Sequence, residues 1–200
     1  MNPAENHGGW AGRSGEFSPA YYAHLGANAT SERLAEICAS VVPADARILE
    51  LGCSAGRHLA HLHEEGFSNL AGIDINDESF EAMADQYPEL AATGTFHTGA
   101  IEEILPEFPD DAFDVVYSVE TLQHVPPENI GVFEEIARVT ADLLITVENE
   151  GGDSGEEMTY VNDDFPLYYR NWEGIFTDLG LVQLSSESTK RDTLRVFEVS

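Results

Sequence analysis

The chain has 200 residues, 42% hydrophobic and 10% aromatic, enough to bury the core of one ordinary domain and unlike a disordered chain. Against 37 Asp and Glu stand 9 Lys and Arg, a formal net charge of −28, and the only lysine is Lys190. A surface so negative repels phosphate backbones and anionic lipid, which argues against nucleic-acid and membrane partners. A lysine-bearing phosphate loop is excluded, because Thr189 rather than glycine precedes that lysine.

The acids are spread along the chain rather than gathered in a tail, so they describe a surface. Dispersed acids with almost no lysine fit a salt-adapted, halophilic protein, since acidic surfaces favour solubility and salt screens their repulsion. Two cysteines, Cys38 and Cys53, make no disulfide framework and suit a reducing compartment. Residues 1–19 hold no apolar signal core, and no apolar run approaches the roughly 18 residues of a spanning helix. The expected location is the cytoplasm.

In chain order, residues 1–28 read as a loose arm or cap with aromatic anchors Trp10, Phe17, Tyr21 and Tyr22, ahead of one domain over 29–200. Leu34, Ile37, Cys38 and Val41 recur at helical spacing and stop before Pro43. Arg47–Leu51 predicts a short apolar strand, Gly52–Gly56 a turn, and Leu59 with Leu62 the helix after it. Asn69–Asp74 predicts a second strand, Phe80, Met83, Ala84 and Tyr87 a second helical stripe, and Thr95–Thr98 a third strand. Asp114–Val119 is nearly all apolar, as a buried parallel strand should be. Pro126-Pro127 opens a helix with Ile130, Phe133, Ile136 and Ala137 inward, and Asp142–Val147 is a fifth strand. Glu148–Asp164, acidic and Gly-rich, reads as a long loop. Trp172, Ile175, Phe176 and Leu179 form a last helix that stops at Gly180. Leu181–Leu184 and Thr193–Val199 then pair antiparallel, because the link between them is too short for a crossover. The pattern specifies an α/β fold, a Rossmann-like doubly wound sheet of seven strands, mostly parallel with a C-terminal antiparallel hairpin.

A ligand of such a sheet lies beyond the carboxyl ends of the strands, next to the first one. That places Glu50–Gly56, Asp74–Asp77, Gly99–Glu103 and Ser118–His124 around it. Glycines let backbone approach a ligand, and the helix after Gly56 offers amide donors. Asp74 either accepts from a ribose diol or caps the next helix, and Glu50 is a ligand group or a solvated strand end. The turn lacks the middle glycine of a dinucleotide fingerprint, which disfavours a nicotinamide enzyme. It does spell the G-x-S-x-G of a nucleophile elbow, with Ser54 as nucleophile. The acid and base would then be Asp114 and His124, and Asp114 opens a strand where a triad acid should follow one. Cys53 reads as a small packed residue. His58, His61 and His63 do not share one helical face, so they describe a solvated helix rather than a metal site.

Taken together, Glu50–Arg57, Gly72-Ile73-Asp74, and Phe113–Ser118 followed by Leu122-Gln123-His124-Val125 resemble the class I S-adenosylmethionine-dependent methyltransferases of the small methyltransferase-domain type, over roughly residues 30–200. The resemblance implies S-adenosylmethionine as cofactor and in-line methyl transfer to a small-molecule acceptor. It puts Glu50, Gly52, Cys53, Ser54 and Gly56 around the methionine moiety, Asp74 on the ribose and Ile75 on the adenine. Ile101 and Glu102 would bracket the base edge, and Ser118 would lie beside the sulfonium. Ser54 in place of the middle glycine, and Ala100 where the family often has aspartate, are departures. His124 is the candidate base and Glu120 its alternative, although this histidine often only supports the loop after the fourth strand. A non-catalytic module that binds S-adenosylmethionine or S-adenosylhomocysteine shares the same binding half, and a nicotinamide-dependent oxidoreductase is a third reading. The acceptor pocket falls to Tyr21, Tyr22, Tyr168, Tyr169, Arg170 and Trp172, in the arm and before the last helix.

The charge balance makes a direct prediction. Screening reaches about 10 Å at 0.1 M salt and about 3 Å at 1 M, so self-repulsion is strong only in dilute salt. The unfolding midpoint should rise steadily as KCl goes from dilute to molar; a flat or falling midpoint contradicts salt adaptation.

Overall fold

The computed structural model describes residues 3–151, 157–161 and 165–199. Three helices open the chain: α1 (Pro3–Ala11), α2 (Pro19–Leu25) and α3 (Ala29–Val41). Five strands follow, β1 (Arg47–Leu51), β2 (Asn69–Asp74), β3 (Thr95–Thr98), β4 (Phe113–Val119) and β5 (Thr140–Glu148). Between them run α4 (Arg57–Glu64), α5 (Glu78–Gln86), α6 (Pro88–Thr93), α7 (Ile101–Ile104) and α8 (Val132–Val139). A separate antiparallel hairpin, β6 (Met158–Val161) and β7 (Phe165–Tyr168), precedes α9 (Trp172–Asp178). The chain closes with β8 (Val182–Ser188) and β9 (Thr193–Glu198). The seven-stranded sheet has the order β3-β2-β1-β4-β5-β9-β8, with β1 to β5 parallel and β9 antiparallel to both β5 and β8.

β1 lies between β2 and β4, and helices cover both faces, so its Ile48, Leu49 and Leu51 have no exposed surface. One core layer packs Leu34 and Cys38 of α3 and Leu59 and Leu62 of α4 against Ile48, Val115 and Tyr117. The other packs Phe133 and Ile136 of α8 and Trp172 and Phe176 of α9 against Leu49, Val116 and Leu144. In that layer Trp172 meets Phe133 edge to face at 5.5 Å, a preferred aromatic geometry.

Three expectations need correction. The arm is helical. Ser18 caps α2 by accepting from the Tyr21 amide at 3.3 Å, and Pro19 occupies the first helical position, where its missing N–H costs nothing. α1 carries Gly8 and Gly9 and has little propensity of its own; tertiary contact holds it. Trp10 packs on His124 and Phe165 at 4.8 and 4.3 Å, and a Cβ on Gly9 would lie 2.8 Å from the Phe165 ring. Second, the acidic stretch before the last helix contains β6 and the start of the β6–β7 hairpin; its residues 152–156 and 162–164 lie outside the described residues. Third, Ile130 and Val41, expected inward, are 55% and 53% exposed: α8 begins only at Val132, and Val41 is the last residue of α3.

The sheet also buries a carboxyl. Glu50 on β1 is 2% exposed and accepts from the Tyr117 hydroxyl at 3.0 Å, and burial pushes it up to about 8. A carboxyl raised on folding contributes stability that is complete below its unfolded pKa and lost as pH rises through the folded one. The melting temperature should therefore fall between pH 6 and pH 9, and Glu50→Gln, which keeps an acceptor for Tyr117 without a charge, should flatten that fall. A wild-type profile that is level or rising over this interval contradicts the assignment.

Candidate active site

Parallel strands end at one edge of the sheet, and the order reverses between β1 and β4, so the turns leaving them part to opposite faces and leave a crevice. A cavity of about 1530 Å³ of empty space, mouth included, fills it.

The floor is built by the turns after β1, β2, β3 and β4. Gly52 has φ +70°, and a Cβ there would lie 2.3 Å from Thr121 Oγ1, so only glycine lets the β1 and β4 turns come this close. Ser54 and Glu120 are non-glycine residues with φ of +49° and +51°. Left-handed backbone is costly for such residues and concentrates where a site over-determines it; here one lies in each of the two facing turns. Asp74 closes β2 at the cavity wall and is held on three sides. Its Oδ2 accepts from the Ser54 amide at 2.8 Å, and its Oδ1 from the Asn76 amide at 2.9 Å and the Ser79 hydroxyl at 2.8 Å. Asp74 thus pins both the glycine turn and the turn leading from β2 into α5, while Oδ2 keeps capacity for one more donor. Burial raises its pKa and these three donors oppose the rise.

Of the residues implied by the motif, Gly52, Cys53, Ser54, Asp74, Ile75, Ile101 and Glu102 line the cavity, as do His124 and Glu120. Glu50, Gly56 and Ser118 do not. Glu50 is turned to Tyr117, and Ser118 donates at 2.7 Å to Glu148, the last residue of β5. Of the residues expected around the acceptor, Tyr22 alone lines the cavity; Trp172 is core, Tyr169 lies against Gly151, and Arg170 supports the turn after β4. His58 was expected in solvent but is 4% exposed, its Nδ1 lying 2.8 Å from the Ser31 hydroxyl, and burial lowers it to about 3. Asp114 pairs with Arg47 at the opposite end of β4, so it cannot serve as the acid of a triad with Ser54 and His124. Cys53 is packed, and burial raises its thiol well above the ordinary range.

The roof comes from α1 and the β6–β7 hairpin, neither of which belongs to the main sheet. Asn6 donates to the His124 carbonyl at 2.9 Å, and His7 Nε2 lies 2.8 Å from Glu102. Asn76 donates to the carbonyls of Trp10 and Arg13, and the Arg13 guanidinium sits 4.7 Å over the Phe165 ring. His124 Nδ1 is 2.8 Å from the Pro166 carbonyl, which only accepts, so that nitrogen carries the proton and Nε2 is bare. Burial lowers His124 to about 4. Sequence reasoning missed Asn6, His7, Arg13 and Asn149 as cavity residues. His7 and Trp10 in a Gly-Gly context were the available signal.

The chemistry of this lining suits a ligand bearing charges of both signs. Acids (Asp74, Glu102, Glu120, Asp192) and guanidinium groups (Arg13, Arg57, Arg191) share it, with apolar Ile75, Ile101, Val119 and Val125 between them, and no lysine is available there. Comparison with known proteins agrees. Residues 48–142 match the methyltransferase-domain family. Sterol 24-C-methyltransferase of Yarrowia lipolytica is 31% identical over 96 residues, 46% of this chain and 24% of that protein, so the chain spans about a quarter of that relative's length. Magnesium protoporphyrin IX methyltransferase from Synechocystis PCC 6803, solved with bound S-adenosylhomocysteine, superposes with a TM-score of 0.69 at 16% identity, covering 94% of this chain and 90% of that one. Geranyl diphosphate methyltransferase, solved in complex with GPP and sinefungin, superposes with a TM-score of 0.71 at 13% identity, covering 86% of this chain and 78% of that one. The match over residues 48–142, with neighbours solved with S-adenosylhomocysteine or sinefungin, supports S-adenosylmethionine as the cofactor.

Proposed function

We propose that this protein is an enzyme that transfers the methyl group of S-adenosylmethionine to a small, largely apolar acceptor. The observation that carries this reading is a single cavity with two kinds of wall. On one side stand the motif turns with Asp74, Ile75, Ile101 and Glu102; on the other stand Trp10, Phe17, Tyr22, Val161 and Leu167. The relatives bear names that specify a sterol, a magnesium porphyrin and geranyl diphosphate as acceptors, all with large apolar parts, which agrees with the aromatic side.

The bound cofactor supplies a methyl group on a positively charged sulfur, which departs as a neutral thioether. What remains for the protein is alignment and exclusion of water, and a proton acceptor where the acceptor is an O–H or N–H. The free capacity of Asp74 Oδ2 holds a ribose hydroxyl, and Ile75 and Ile101 enclose the adenine. Glu102, already bonded to His7 and Asn129, fixes the base edge and ties α1 to it. His124, a residue of the cavity lining, is the proton acceptor: Nδ1–H is locked to Pro166, and the unprotonated Nε2 lies 3.4 Å from the Gln123 side-chain amide. Its low pKa makes it a weak base that orients an acceptor hydroxyl or amine more than it deprotonates one. Glu120, beside Arg191 at 3.5 Å, is the alternative. In this reading residues 1–28 are the roof of a domain over 29–200, the protein is cytoplasmic and salt-adapted, and its partner is a small molecule rather than nucleic acid or membrane. No helix among the described residues is long and apolar enough to cross a membrane.

Incubation with methyl-labelled S-adenosylmethionine and fractionated cell metabolites should release S-adenosylhomocysteine and label a small molecule of apolar character. Tight S-adenosylhomocysteine binding without release over the whole panel would identify a binding module instead. Asp74→Asn should raise the S-adenosylmethionine dissociation constant at least about tenfold, since a charge-assisted hydrogen bond contributes about 1.5–3 kcal/mol; an unchanged constant removes Asp74 from the site. Trp10→Ala should cut turnover while S-adenosylhomocysteine affinity changes by less than about threefold, because α1 orders the acceptor side. Equal losses in both would place Trp10 on the cofactor instead.

A further inference from the structure

We propose that Glu148 and Arg170 are positioning residues that clamp, from opposite ends, the 3₁₀ turn carrying Gln123 and His124 into the cavity. Glu148 is fully buried at the end of β5. Its Oε1 accepts from the Ser118 hydroxyl at 2.7 Å and from the amides of Thr121 and Leu122 at 3.2 and 3.0 Å, and its Oε2 accepts from the Gln123 amide at 3.1 Å. Those three amides open the turn Leu122–His124, and a helical turn has no backbone acceptor of its own for its first donors. At the other end Arg170 donates to the Leu122 carbonyl at 3.1 Å and to the Val125 carbonyl. Its guanidinium is walled by Tyr168, Phe133 and Trp172 at 5.0, 5.6 and 5.7 Å. An anion on the opening amides and a cation on the closing carbonyls both oppose the dipole of the turn, and together they fix it as a rigid body.

The turn cannot set its own conformation. It follows Glu120, which sits at φ +51°, and Gln123 extends the hold by accepting the Asn149 amide at 2.8 Å. Ser118, placed by the motif beside the cofactor, serves this clamp instead.

The arrangement is sensitive to protonation. Both carboxylate oxygens face donors, so a proton on Glu148 deprives at least one of them of its acceptor. Burial pushes Glu148 up to about 7 although its four donors pull the other way, and Arg170 is the charged group that faces it across the turn. Burial also lowers Arg170 from the usual guanidinium value, and at neutral pH it remains a cation. A local opening that draws the turn away leaves Glu148 in the core without its donors, which raises its proton affinity further, so, unlike global unfolding, this opening is favoured as pH falls.

The clamp stands on geometry, and only its consequence for His124 rests on the methyltransferase reading, so its test needs no acceptor. Amide hydrogen exchange of the full chain, corrected for the intrinsic pH dependence, is followed at residues 121–123 and at β4. Between pH 8 and pH 6 wild-type protection at 121–123 should fall about tenfold while β4 stays constant, the change expected for ionisation near neutrality. Glu148→Gln, whose amide presents a donor to donors, should show the low protection at both pH values, and Glu148→Asp should keep the pH dependence. Should the glutamine variant fail to fold, the wild-type titration decides alone. Protection at 121–123 that is the same at pH 8 and pH 6 in the wild type overturns the proposal. So does a folded glutamine variant as protected and as pH-dependent as the wild type. Absence of methyl transfer would leave both readouts standing, so failure of the clamp and failure of the enzyme assignment are separable.

Discussion

The cavity depends on the close approach of two turns, those leaving β1 and β4, which meet at Gly52 and Thr121. Parallel strands deliver both turns to one edge, and the reversal of strand order sends their helices to opposite faces. Without a Cβ at Gly52 the backbones close up; with one, the Thr121 side chain would have to move and take its turn with it. Asp74 ties the glycine turn from β2, and Glu148 ties the β4 turn from β5. The floor of the site is therefore set by carboxylates that accept backbone amides, a rigid arrangement because a charged acceptor satisfies several donors at once.

The same economy governs the cations. In a chain of net charge −28, Arg33, Arg47, Arg138 and Arg195 form ion pairs that join elements distant in sequence, and Arg170 grips the β4 turn. Arg13, Arg57 and Arg191 line the cavity. The exposed pairs add little to stability. Their placement matters more for the cavity, where three of eight arginines offset Asp74, Glu102, Glu120 and Asp192 and leave a lining of mixed sign.

The central sheet was legible because its strands are short apolar runs bounded by Gly, Asn and Asp, and the turn after β1 was legible because close backbone approach demands glycine. The roof was not. α1 has two glycines and forms only because Trp10 and Asn6 find partners more than a hundred residues away, a tertiary effect that local propensity does not carry. Glu50 and Ser118 sit where the motif puts them along the strands, but the direction of each side chain is decided by Tyr117 and Glu148, neighbours across the sheet that no local pattern names. Arg170 looked like an acceptor contact for the same reason: an arginine among aromatic residues reads alike whether its donors face a ligand or the backbone.

The central claim is that the crevice between the β1 and β4 turns is built for S-adenosylmethionine. Calorimetric titration of the intact protein with S-adenosylhomocysteine and, in parallel, with NAD tests it most directly, because Ser54 stands where a dinucleotide fingerprint has its middle glycine. The account predicts saturable one-to-one binding of S-adenosylhomocysteine and no heat of binding with NAD. Binding of NAD, or of neither ligand, would contradict it.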